Sequence, residues 1–204
     1  MIAILNYGVG NILSIQNMYA KMGIESVITN DMEIINSAKR LILPGVGNFD
    51  HCMVKYRNSN FFSQVERLVL DDKKPILGIC VGLQMLFERS EEGSENGLSW
   101  IKGEVVKFVE NNNIRIPHMG WNYVNPIGNN NLFSELINPK FYFVHSYYAK
   151  PKSNNEIIAS TKYGTDFICA VKSGNILGVQ FHPEKSHKYG MQLLKNFAVN
   201  DFNE

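Results

Sequence analysis

The chain is predicted to fold as a single α/β domain, residues 1–204, around a mixed, mainly parallel open sheet with helices on both faces. Three observations predict it. The first half alternates short apolar runs with stretches of helical periodicity, the pattern of parallel βαβ units. The second half holds short runs of alternating polarity separated by polar turns, the pattern of pairing that is at least partly antiparallel. Between them, an apolar run passes directly into a glycine-flanked turn and then a helical pattern. With 204 residues and 45% apolar side chains, the chain can bury a substantial core and needs no second domain.

The elements follow from periodicity. Residues 2–6 open with the strand-like run Ile2-Ala3-Ile4-Leu5, residues 12–22 read as a helix, and residues 25–29 and 41–43 supply two further strands. After the turn Pro44-Gly45-Val46-Gly47, apolar residues at Phe61, Phe62, Val65, Leu68 and Val69 make a helical stripe over 61–70. That stripe stops before a strand at 75–79, and Leu83, Leu86 and Phe87 then give a helix after Cys80 its core-facing side. Further strands are expected at 104–109, 141–145, 156–161, 167–171 and 176–181. A closing helix at 188–197 carries Met191, Leu194 and Phe197 on one face. The Asn-rich segments at 111–113 and 129–131 read as surface turns.

Composition excludes several function classes. Twenty basic residues balance nineteen acidic ones, leaving a formal charge of +1, so no phosphate-tracking surface and no nucleic-acid partner is expected. Cys52, Cys80 and Cys169 are too few and too scattered for a disulfide framework, which points to a reducing, cytoplasmic setting. The first residues carry no basic leader, and no apolar run approaches membrane-spanning length. Tyr7-Gly8-Val9-Gly10-Asn11-Ile12-Leu13 begins like a dinucleotide fingerprint but places Leu13 where the third glycine belongs. There is no phosphate-loop lysine motif, and His182 and His187 lack zinc-site spacing, so neither cofactor nor metal is expected.

The chemistry concentrates at Gly78-Ile79-Cys80-Val81-Gly82. About 0.02 matches to Gly-x-Cys-x-Gly are expected by chance in a chain of this composition. Glycines two residues before and after suit a nucleophile on a sharp strand-to-helix bend, where side chains would clash. A free cysteine is more often a small buried hydrophobe, so Cys80 needs partners before it reads as reactive. At the end of the apolar strand 176–181 come His182-Pro183-Glu184, and residues two apart in extended chain point to the same side. His182 can therefore serve as base to Cys80, and Glu184 can orient it. An oxyanion formed in acyl transfer would find the Val81 N–H at the helix start and a second donor in the Val46 and Gly47 turn. Among the other histidines, His51, His118 (read in a loop) and His187 are taken as structural; His145 ends a strand.

Taken in order, Asn6-Tyr7-Gly8-Val9-Gly10-Asn11, Pro44-Gly45-Val46-Gly47, the Gly78-to-Gln84 segment, Ser90-Glu91-Glu92-Gly93, Ile116-Pro117-His118-Met119-Gly120-Trp121-Asn122, Phe143-Val144-His145-Ser146-Tyr147 and Phe181-His182-Pro183-Glu184-Lys185-Ser186 resemble class I, triad-type glutamine amidotransferases over nearly the whole chain. Within that family they are most similar to the glutaminase subunits of imidazole glycerol phosphate synthase. The resemblance implies hydrolysis of L-glutamine to glutamate and ammonia through a Cys80 thioester. It implies glutamine contacts from Gln84, Glu92, Ser146 and Tyr147, and a structural place for His145 near the substrate wall. It further implies a heterodimer with a (β/α)8-barrel cyclase subunit that receives the ammonia for histidine biosynthesis, with Asn11, Trp121 and Lys185 at the interface. In the free subunit the donor near Val46 is expected to be misoriented until that partner docks.

Three readings compete. His187-Lys188-Tyr189-Gly190, the Tyr147-Tyr148 pair and Asn58-Ser59 also resemble paralogues that supply ammonia for amidine formation on bacterial surface sugars. Gly-x-Cys-x-Gly with a downstream histidine serves cysteine peptidases and esterases as well. A non-catalytic regulatory subunit is the third, against which the intact Cys80, His182 and Glu184 argue.

Overall fold

Four apolar residues in a row leave no polar face for solvent, and the first strand, β1 (Ile2–Leu5), is buried at every position. Such a strand belongs inside a parallel sheet covered on both faces. The computed structural model describes residues 1–109 and 114–202, so the Asn-rich turn predicted at 111–113 lies outside the described residues. After β1 come α1 (Ile12–Lys21), β2 (Ser26–Thr29), α2 (Met32–Ser37), β3 (Arg40–Gly45), α3 (Phe49–Arg57), α4 (Phe62–Leu70), β4 (Ile76–Cys80) and α5 (Val81–Met85). The strands β5 (Arg89–Ser90), β6 (Gly103–Lys107), β7 (His118–Tyr123), β8 (Asn125–Pro126), β9 (Lys140–His145), β10 (Tyr147–Pro151), β11 (Ile157–Tyr163), β12 (Thr165–Ser173) and β13 (Ile176–Val179) follow, and α6 (His187–Val199) closes the chain.

The main sheet runs β2-β1-β3-β4-β13-β12-β10-β6-β5, with β11 and β8 continuing from β12. The strands β2, β1, β3, β4 and β13 are parallel to their neighbours, and antiparallel pairing begins at β12. The mixed α/β architecture expected from the two halves of the sequence is the one observed. A separate two-stranded ribbon, β7 with β9, lies outside the main sheet.

Register positions the site. In the parallel block Gly45 of β3 lies opposite Cys80 of β4, and Val179 of β13 lies opposite Ile79. The turn after β3, the elbow after β4 and the segment after β13 therefore leave the sheet side by side at its carboxyl edge, where ligands bind in open α/β sheets. Cys80 itself has φ 55° and ψ −112°, a left-handed backbone that costs a non-glycine residue about 1–3 kcal/mol. Close packing holds it there. A Cβ on Gly82 would overlap the carbonyl oxygen of Leu43, one on Gly45 would overlap the Gly82 nitrogen, and one on Gly78 would overlap the Gly82 carbonyl. The glycines are thus required by direct contact of the α5 backbone with those of β3 and β4.

Some elements differ from the sequence reading. The helix after Cys80 ends at Met85, because Leu86 and Phe87 donate to carbonyls three residues back and tighten the last turn; both side chains are nonetheless fully buried. His118, read in a loop, lies on β7, whose pairing partner β9 is distant in sequence. Two short helices, α2 and α3, were not delimited from periodicity; Asp31 and Asn48 cap them by accepting backbone N–H bonds. Gly82→Ala is expected to lower stability by about 1–3 kcal/mol, as overpacking does, and the urea midpoint of the variant measures it.

Candidate active site

Cys80 is almost fully buried, and its elbow presents it to a cleft of about 380 Å³. Asn11, Val46, Gly47, Val81, Gln84, Glu92, Ser146, Tyr147, His182 and Lys185 also line that cleft, with Pro117, Val144 and His145. The cleft residues proposed from the sequence are therefore gathered here from six separate stretches of chain. Glu184 lies just behind the wall: its Oε1 is 2.8 Å from His182 Nδ1. Trp121 sits apart, partly exposed on β7 and stacked on His187 at 5.3 Å between ring centres.

The His182–Glu184 pair is nearly without solvent, with side-chain exposures of 2% and 1%. Burial works against a charged imidazole, but charge and hydrogen-bonding interactions with Cys80 and Glu184 outweigh it and lift His182 to about 10. Burial likewise opposes the Glu184 carboxylate, yet bonds from His182 and Asn11 hold it below the usual carboxylate range. The Asn11 amide donates to Oε1 at 3.1 Å, whereas Oε2 has no partner among the described residues. With Nδ1 committed to Glu184, Nε2 is left for the Cys80 thiol.

Two site residues escape motif reading. Ser186 Oγ donates to the His182 carbonyl at 2.6 Å and accepts from the Tyr142 N–H at 3.0 Å, while the His182 N–H bonds to the Tyr142 carbonyl, so β9 and Ser186 together fix the histidine backbone. Gln180 is fully buried, accepts from Gln84 Nε2 at 3.2 Å and has its own amide 3.9 Å from Cys80 Sγ. The two-residue spacing that pairs His182 with Glu184 extends back to Gln180, and that signal could have found it. Glu92 accepts from the Phe49 N–H at 2.9 Å, and burial raises its pKa; an arriving cation would stabilise its charged form.

Two buried histidines, His145 in the cleft wall and His118 packed against it, are of opposite character to His182. His145 Nδ1 contacts the Tyr147 carbonyl at 2.8 Å, and its Nε2 meets His118 Nδ1 at 2.9 Å. No carboxylate faces either ring in these bonds, and burial lowers His118 to about 4 and, aided by the His118 and His182 charges, His145 to about 3.

A buried thiol on a strained elbow, beside an imidazole held by a carboxylate and open to a cleft of amino-acid size, can carry out acyl transfer through a thioester. The comparisons with known proteins narrow that class. The family model described as glutamine amidotransferase class-I matches residues 3–200. The chain is 50% identical over 198 residues to imidazole glycerol phosphate synthase subunit HisH 2 of Methanococcus maripaludis, covering 97% of this chain and 98% of that one. It is 46% identical to the protein of the same name from Pseudomonas aeruginosa, again covering 97% and 98%. The solved structure of PurLQS from Thermotoga maritima superposes with a TM-score of 0.72 at 17% identity, covering 96% of this chain and 96% of that one, and shows the shared fold. The chain belongs to the class-I glutamine amidotransferase family. Among the described residues no helix is long and apolar enough to cross a membrane, and all three cysteines are free.

The neutral histidine pair has a consequence for stability. Rings that take up protons only near pH 4 and 3 when folded, but at about 6.5 when unfolded, make the unfolded state the stronger proton binder between those limits. Stability is therefore expected to fall as pH drops from about 6.5 to 5.5, above the range where ordinary carboxylates titrate; Glu92, whose pKa burial raises, opposes the fall at the lower end. Urea midpoints across that window measure the slope, and His118→Gln is expected to remove about one proton of uptake.

Proposed function

We propose that the chain is the glutaminase subunit of an imidazole glycerol phosphate synthase, releasing ammonia for a cyclase subunit in histidine biosynthesis. The observation that carries this reading is the convergence of Cys80 and His182, backed by Glu184, on a cleft that also holds the Glu92 carboxylate.

Each residue has a task that its chemistry suits. Glu92, half-buried and lacking a cationic partner in its bonds, would receive the α-ammonium of glutamine. Gln84 and the Ser146–Tyr147 backbone would hold the rest of the amino acid; the Gln84 amide already bonds to the Tyr147 carbonyl at 3.3 Å. The Cys80 sulfur attacks the side-chain amide carbon, and its proton resides on His182. The resulting oxyanion lies between the Val81 N–H, one of the first-turn donors that lack intrahelical partners, and the Val46–Gly47 turn. Collapse of the intermediate breaks the C–N bond as His182 delivers its proton to the leaving nitrogen, giving ammonia and a glutamyl thioester. Water, deprotonated by His182, then attacks the thioester carbon and returns glutamate and the free thiol. Glu184 holds the ring and stabilises each imidazolium state.

The exposed face of β7 supports a partner. Met119, Trp121 and Tyr123, at alternate positions, are 61%, 41% and 59% exposed and form one apolar face. Met119 is in register with Val144, which lines the cleft, so this face adjoins the mouth. A (β/α)8-barrel synthase covering it would take the ammonia directly, and Lys185 and Asn11, both in the cleft wall, would lie under the contact. The curated relatives, named as subunits of that synthase and matched over almost their full length, support this assembly.

Glutamine hydrolysis by the full chain, measured with the cyclase subunit of the same organism and with and without its ribonucleotide substrate, tests the proposal. Strong stimulation by that ligand is expected, with Cys80→Ala abolishing hydrolysis while the fold is retained. Stimulation by a sugar-modifying synthase alone would move the ammonia to amidine formation. Glu92→Gln is expected to raise KM for glutamine by about tenfold, the equivalent of about 1.4 kcal/mol of lost ion pairing, in steady-state assays.

A further inference from the structure

The Val46–Gly47 turn forms the cleft wall opposite Val81, yet it has little backbone support of its own. Among the described residues neither Val46 nor Gly47 donates a backbone hydrogen bond outside the strands, and Gly47 sits at φ +87°. Beyond the β3–β4 ladder, which reaches Gly45 opposite Cys80, two side chains hold the turn. The Tyr7 hydroxyl, from the loop after β1, donates to the Pro44 carbonyl. The Cys52 thiol, from α3, donates to the Val46 carbonyl at 3.4 Å. Their targets flank a single peptide group, Gly45–Val46, whose N–H belongs to Val46.

Both side chains are built into place. Cys52 is fully buried and Tyr7 is 7% exposed. The Tyr7 ring packs edge-on against Tyr56 of α3 at 5.5 Å, and its hydroxyl also reaches Cys52 and Met85 Sδ at 3.7 Å. On the opposite side, Gly45 abuts the Val81–Gly82 backbone, so the turn cannot retreat from the clasp without leaving the elbow. Burial places Cys52 too deep, and with too weakly acidic a thiol, to act as a second nucleophile.

We propose that Tyr7 and Cys52 are positioning residues for glutamine hydrolysis, clasping the carbonyls on either side of the Gly45–Val46 peptide and so setting where the Val46 N–H points. A donor aimed at a developing oxyanion contributes to the transition state and little to the bound ground state. The clasp therefore governs kcat more than KM. This inference rests on the glutaminase reading given above.

The test compares Cys52→Ala, Cys52→Ser and Tyr7→Phe with the unsubstituted full chain, in the presence of the cyclase subunit. Glutaminase kcat and KM are measured beside the rate at which iodoacetamide alkylates Cys80, a reaction with no oxyanion to stabilise. Expected are a loss of about tenfold in kcat for Cys52→Ala and Tyr7→Phe with KM within about twofold, and unchanged alkylation. Cys52→Ser, which keeps a donor at the position, is expected to recover most of the kcat. A kcat within about twofold of the parent in both deletion variants overturns the clasp, as does a parallel fall in kcat and alkylation, or a Cys52→Ser no better than Cys52→Ala. If the unsubstituted chain hydrolyses no glutamine with any synthase, the glutaminase reading falls, and the clasp with it.

Discussion

The backbone at the end of β3 lies directly against the backbone of α5, the helix that follows the neighbouring strand β4: the Leu43 carbonyl and Gly45 against Gly82. Side chains at Gly45, Gly78 or Gly82 would separate these segments, and the left-handed backbone of Cys80 would lose the packing that sustains it. Because β3, β4 and β13 are in register, this one contact places the Val46–Gly47 turn, the Cys80 thiol and the His182 segment along a single edge. Only their precise aim is left to side chains.

That aim is set by neighbouring charge. His182 and His145 are both buried residues at the same cleft, and desolvation disfavours a proton on either ring. Glu184 lies 2.8 Å from His182, while the partners of His145 are a carbonyl oxygen and another imidazole. One ring is consequently held protonated and the other neutral. Two opposite environments are thus built around the same residue type, and Cys80 together with the Glu184 carboxylate is what separates them. The cost of burying Glu184 is offset by Asn11 and His182, which both address Oε1 and leave Oε2 unpartnered among the described residues.

Much of this was legible in the sequence. The parallel block declared itself because strands buried on both faces must be apolar throughout, as in β1 and β4. Cys80, His182 and Glu184 could be paired because glycine spacing and two-residue alternation are local signals. Ribbon β7 was not legible: Met119, Trp121 and Tyr123 alternate correctly for a strand, but they face outward, and the partner that orders them, β9, is distant along the chain. The roles of Ser186 and Gln180 were hidden for a related reason. Each acts through a bond to a residue on another element, Tyr142 for Ser186 and Gln84 for Gln180.

The sequence by itself determined the fold class, the elbow, the pairing of His182 with Glu184 and, through its ordered motifs, the resemblance to the amidotransferase family. Those properties are written in nearest-neighbour chemistry: where glycine is required, which residues alternate, and where apolar runs begin and end. Tertiary structure alone decided which histidine is charged, how the Val46 turn is held and which face of β7 remains open. Each of these depends on what a group meets across the fold, and no local pattern encodes the distance from His182 to Cys80 or from Cys52 to the Val46 carbonyl.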